Sequence, residues 1–193
     1  MKDFTEDDMK RPLFEEPTKE HERLDAWDEP RGFMIGGMAN LKREELAQQY
    51  FDAACLLLDA VRSDRCEDYK IANPALYLFR HSIELLLKSI VRPPKNDHNL
   101  GELAIQFNKI VNQHFCVDVP QWISDYIGEF AKIDHGSTAF RYSDRFSKKI
   151  DPVEGEYHVD IHHLRKAMTA LNTALVRVLE ELHRQLRQSH SPI

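Results

Sequence analysis

The stretch NPALYLFRHSIELLLKSIVRPP, from Asn73 to Pro94, constrains the whole chain more than any other. Asn73 suits an N-cap and Pro74 the first helical position, while Pro93 and Pro94 forbid continuation. Between them lie about five helical turns. Leu76, Leu78, Phe79, Ile83, Leu85, Leu86, Leu87, Ile90 and Val91 cover more than half of the circumference. A helix so nearly apolar all round belongs in the middle of a bundle, touched on several sides. Its polar residues fall in order: Tyr77, His81, Glu84 and Lys88 share a stripe at 100° per residue, with Arg80 beside it. A polar stripe on a central helix needs partners.

The remaining periodicity supplies neighbours for that helix. From Asn40 to about Ser63, Leu46, Tyr50, Ala53, Ala54, Leu57 and Val61 recur at three- and four-residue intervals. Asn99 and Glu102 form an N-cap and N3 pair for a helix that carries Leu100, Leu103, Phe107, Ile110 and Val111. Another starts near Asp118 and Pro120 and ends before Asp134, and a last, long one runs from Asp160 to about Gln188. With 193 residues but only seven Gly and nine Pro, an architecture of many hairpins is disfavoured. The expectation is an all-α, antiparallel bundle of four to five main helices, with a short irregular or hairpin insertion near 135–157.

Charge divides the chain differently. Residues 1–31 hold eleven acids against six bases, so the net −6 is almost all in the N-terminus and the rest is near neutral. We therefore expect an acidic, partly ordered arm over 1–39, in which Phe4, Leu13, Phe14, Leu24, Trp27, Phe33 and Met34 pack in part on this domain or on another subunit, a frayed terminus being the equal alternative. The bundle occupies 40–193. Such a balance does not favour a broad basic nucleic-acid platform but leaves room for a small polyanion site. Cys55, Cys66 and Cys116 lack CxxC spacing and read as reduced thiols, and no leader or membrane-length apolar run is visible, which points to the cytoplasm.

The stripe gains chemical meaning when it is set beside His98 and the pair Arg141-Tyr142. Arg is a forked, permanently charged anion clamp, and His exchanges a proton near neutral pH. Arg80, His81 and Glu84 are accordingly the candidates for chemistry, with Lys88, His98, Arg141 and Tyr142 as binding groups at a phosphate or nucleotide site. The competing interpretation is a solvated face in which Glu84 and Lys88 are an ordinary four-residue surface pair. Arg177 and His183 form an alternative pair on the last helix. His158, His162 and His163 come without an HExxH or Cys companion, so no metal is expected; without Walker A, GxGxxG or GxSxG motifs the nucleoside-triphosphatase, Rossmann and α/β-hydrolase readings are unsupported, and no cofactor is expected.

Taken together, ALYLFRHSIELLLKSI, HNLGEL and GSTAFRYSD resemble the HEPN superfamily, all-α domains named for higher-eukaryotic and prokaryotic nucleotide binding. The resemblance covers about Leu41 to Leu186. It implies a four-to-five-helix bundle that forms a homodimer around a polar cleft and binds a nucleotide or RNA phosphate, in a toxin–antitoxin or phage-defence setting. Many members are metal-independent RNA endonucleases with an Arg and a His four to six residues apart, which is the alternative function. Here Arg80 is followed directly by His81, while Arg177 with His183 and Arg92 with His98 meet that spacing. The second alternative is a non-catalytic module that binds a partner protein through the acidic arm and the last helix.

Overall fold

A computed structural model of the chain describes residues 5–14, 16, 18, 41–94, 98–141, 153 and 155–189. The chain forms two units, Met1–Asn40 and Leu41–Ile193. In the first, α1 (Glu6–Lys10) is a short helix capped by Thr5, whose amide donates to Asp8 Oδ2 at 2.7 Å and whose hydroxyl accepts from the Asp8 amide at 3.3 Å. Leu13 and Phe14 are 95% and 79% exposed in the single chain. Phe4, Leu24, Trp27, Phe33 and Met34 lie outside the described residues.

The second unit is all-helical, with no strand among the described residues: α2 (Arg43–Arg62), α3 (Asp68–Val91), α4 (Leu100–Phe115), α5 (Gln121–Ile133) and α6 (Ile161–Ser189). Residue pairs fix the directions. Arg43 at the start of α2 donates to the Lys88 carbonyl near the end of α3 at 3.1 Å, Tyr50 meets His81, and Phe51 meets Phe79, so α2 and α3 run antiparallel. Asn172 donates to Gln48 and Arg165 approaches Asp59, which makes α6 antiparallel to α2 as well. α3 packs against α2, α4 and α6, and α5 packs on α4. Phe79, Leu86, Leu87, Phe107, Leu171 and Leu175 are sealed at the centre.

Sequence and structure differ at the start of the central helix. It begins at Asp68, so Asn73 is not a cap and Pro74 lies inside the helix. The physical reason is position: Asn73 and Pro74 are exposed, and so is Lys70, whose carbonyl the proline deprives of an amide partner. The other end behaves as expected. Arg92 takes a left-handed conformation (φ 51°), its amide closes on the Lys88 carbonyl at 3.0 Å, and the two prolines follow.

The other termini follow their local signals. Asn99 Oδ1 accepts from the Glu102 amide at 3.1 Å, Asp160 Oδ1 accepts from the His163 amide at 2.8 Å, and Glu45 reaches back to the Lys42 amide at 2.8 Å. Residues 135–141 form turns; of the rest of the expected irregular or hairpin insertion, 142–152 and 154 lie outside the described residues, and 153 and 155–157 hold no strand. No helix among the described residues is long and apolar enough to cross a membrane.

Two stability changes of opposite sign follow. Pro74→Ala restores the donor for Lys70 and removes the ring, and should raise stability by up to about 3 kcal/mol. Leu175→Ala should cost about 2–5 kcal/mol. Urea unfolding followed by circular dichroism reads both.

Candidate functional site

The polar stripe of α3 divides into a sealed half and an open half. Arg80, Glu84 and Lys88 are 0, 1 and 3% exposed, so the stripe is not a solvated face at this level. Spacing of four along α3 stacks the three side chains, and the Glu84 carboxylate joins them: Arg80 Nη1 donates to Oε2 at 2.6 Å and Lys88 Nζ to Oε1 at 2.8 Å. Burial by itself would raise the Glu84 carboxyl. The hydrogen bonds from Lys88 and Arg80, and that from His98, outweigh it and hold the group below its ordinary value, ionised at neutral pH.

Arg80 also reaches two other segments. Its Nε donates to the Asp134 carbonyl at 3.2 Å and lies 3.1 Å from Asp134 Oδ2, while Nη2 donates to the His98 carbonyl at 2.9 Å. Asp134 is itself buried at the end of α5, where Oδ1 accepts from the amides of Thr138 and Ala139 at 2.7 and 2.9 Å. Those bonds fold back the turn in which Ser137 is left-handed (φ 59°). Arg80 therefore does not present its guanidinium to a ligand, as the sequence suggested. Its charge is used inside the protein, because a buried cation is stable only where carboxylates and carbonyls surround it.

What this network presents to the outside is His98. Its Nδ1 lies 2.8 Å from Glu84 Oε1, on the same oxygen that binds Lys88, and its side chain is 55% exposed. The imidazole is thus held by a buried carboxylate while its carbonyl is held by Arg80. With Nδ1 engaged, Nε2 on the opposite side of the ring is the nitrogen left to accept or donate a proton at the surface.

One helical turn towards the start of α3 lies the open half. His81 stacks on Tyr77 (centroids 5.7 Å apart, planes at 12°) and meets Tyr50 of α2 edge-on at 4.6 Å. The Arg141 guanidinium lies over Tyr77, 5.5 Å from the ring centroid, and its Nε donates to the Ser137 carbonyl at 2.5 Å. Tyr50, Tyr77 and His81 are half-buried and Arg141 is exposed. Burial, the largest cause, lowers the His81 pKa against the opposing pull of Glu84, with smaller contributions from His98, Arg80 and Lys88, so this ring is uncharged at neutral pH.

The structure thus brings Arg80, His81, Glu84, Lys88, His98 and Arg141 into one neighbourhood. Tyr142 lies outside the described residues. Arg177 is exposed and His183 half-buried on α6, and among the described residues no hydrogen bond or ion pair joins them to each other or to Glu84. Three participants were not singled out from the sequence as part of this site: Asp134, Tyr50 and Arg43. Tyr50 and Arg43 come from α2, and only the antiparallel register places them over α3. No group of three or more His, Cys, Asp or Glu among the described residues is arranged to hold a metal ion. The Cys55 thiol is pushed up to about 11 by burial and is unreactive at neutral pH.

No protein-family model, curated protein or solved structure matches the chain. The residues themselves carry the argument about function.

Removing one member of the buried cluster leaves its partners charged and unpaired. Arg80→Ala or Glu84→Ala should each cost about 3–5 kcal/mol, whereas His98→Gln at the surface should cost far less. The pH dependence has two parts, both acid-side. His81 and Glu84 bind protons less readily when folded than unfolded, so the stability each gives is present above its unfolded value and lost below it. Stability should decline first below about pH 6.5, the ordinary value for His81, and again below about 4.5, that for Glu84. Urea midpoints across pH 3–8 check this, and His81→Phe should remove the first decline alone.

Proposed function

We propose that the second unit binds a nucleotide or RNA phosphate at the surface built over Glu84, as a domain of HEPN type. The observation that carries this reading is the His98 imidazole, fixed by a buried carboxylate and turned to solvent. Cations flank it along α3, with Arg43 hydrogen-bonded at Lys88 and Arg141 over Tyr77. Tyr77 and Lys88 are eleven positions apart, about 16 Å along the helix axis. Glu84 and Asp134 are buried and paired with Arg80 and Lys88, so neither is an exposed acid facing this surface. A homodimer, with the site in a cleft between copies, and a place in toxin–antitoxin or phage defence belong to the same reading through the sequence resemblance.

Titration of fluorescently labelled RNA and nucleotide onto the full chain tests it. His98→Gln should weaken binding about tenfold or more, and Arg43→Ala should weaken it less while reducing the salt slope by about one. Equal binding in wild type and His98→Gln, or none in either, would sink the proposal.

The Glu84–His98 pair favours a second reading, metal-independent RNA cleavage. A carboxylate-oriented imidazole suits proton transfer at a 2′-hydroxyl. Attack of that oxygen on the adjacent phosphorus expels the 5′-oxygen, which takes up a proton, and leaves a cyclic phosphate. RNA incubated with the protein and a chelator should then yield cyclic-phosphate ends, with Glu84→Gln and His98→Gln both inactive; uncleaved RNA across varied sequences would reject this activity.

A further inference from the structure

The phosphate reading accounts for His98 and the flanking arginines but leaves the rings beside them without a role. Tyr50, His81, Tyr77 and the Arg141 guanidinium form a continuous run of flat groups, at 4.6, 5.7 and 5.5 Å between successive neighbours. They lie along the edge where α2 meets α3, and all three rings remain partly exposed. A hydrophobic core has no need of this arrangement, since Phe51, Phe79 and Leu87 already fill the interior between α2 and α3. His81 lies one turn, about 5 Å, before the position of Glu84 that anchors His98. That separation is within a single nucleotide.

We infer that the Tyr50–His81–Tyr77–Arg141 step is a nucleobase subsite, which stacks an unpaired base while His98 meets the phosphate next to it. This inference rests on the phosphate reading above and adds the part of the ligand that the reading leaves open. Unpaired bases stack on Tyr, on His and on the plane of an Arg guanidinium, and every base has a face for this, so the subsite selects an accessible base with little regard to sequence. His81 serves best in the uncharged state that its burial maintains. A base inside a duplex is stacked on both faces and is excluded. The ligand is therefore a free nucleotide or a single strand.

Competition and direct anisotropy with the full chain separate the possibilities. Four probes are used: a single-stranded oligonucleotide, an abasic sugar-phosphate strand of equal length, a nucleoside monophosphate, and inorganic polyphosphate. Wild type should bind the base-bearing strand about tenfold or more tightly than the abasic one. Tyr77→Leu and Tyr50→Leu should erase that preference, Tyr50→Leu with abasic-strand and polyphosphate binding unchanged, while Tyr77→Phe retains it. His98→Gln should weaken all of the probes. Binding of the monophosphate at the strand's affinity assigns a free nucleotide, and binding of the strand alone assigns a single-stranded nucleic acid. If wild type binds the abasic strand and polyphosphate as tightly as the base-bearing strand, the subsite is rejected and phosphate binding stands. If no probe binds, both proposals fall. Tyr→Leu variants that lose all four probes equally, with helicity intact, would also overturn the base subsite.

Discussion

One carboxylate in the interior of the bundle, that of Glu84, is the interaction on which the site depends. It accepts from Arg80, Lys88 and His98 at once, and it is ionised because those three donors outweigh the cost of taking it out of water. Neither cation would be tolerated at its depth without it, and neither would the carboxylate without them. Replacing the set with apolar side chains of similar volume is the cheaper way to build a helix of this kind. The chain instead keeps a cluster whose exposed product is one oriented imidazole.

Much of the fold is visible in the sequence because helices announce themselves locally. The three- and four-residue spacing of Leu46 to Val61, of Leu100 to Val111 and of Ile161 to Leu186 identifies the same helices that pack in the structure, and Asn99 and Asp160 mark their starts. Pro74 misleads because a proline near a helix start and a proline on the exposed side of a continuing helix look alike in one dimension. Only the location of the core separates them, and that is a property of the packed chain.

The site was legible as an inventory and not as an arrangement. Arg80, Glu84 and Lys88 could be put on one face of α3 from spacing alone, yet spacing does not say whether that face looks outward. It looks inward because Asp134, 54 residues beyond Arg80, and the His98 carbonyl, 18 beyond, come back to cover it. His98 itself was visible as a residue that follows the Pro-Pro stop, but its role as the outward member required knowing that Glu84 lies beneath it. Tyr50 read as one more apolar position on an amphipathic helix, since its ring contact with His81 arises from the pairing of α2 with α3.

The two backbone carbonyls held by Arg80 have a further consequence. They belong to the residue preceding the Asn99 cap of α4 and to the residue just after α5, two places where a helical bundle would otherwise fray. Because one guanidinium grips both, neither end opens alone: releasing either breaks a hydrogen bond to a charge that has no solvent to turn to. Local fluctuations at these ends are thereby coupled to unfolding of the central helix, and amide exchange there should approach the slow, global limit that loop-proximal residues seldom reach. The part of the surface that carries His98 is held still by the same bond that holds the protein together.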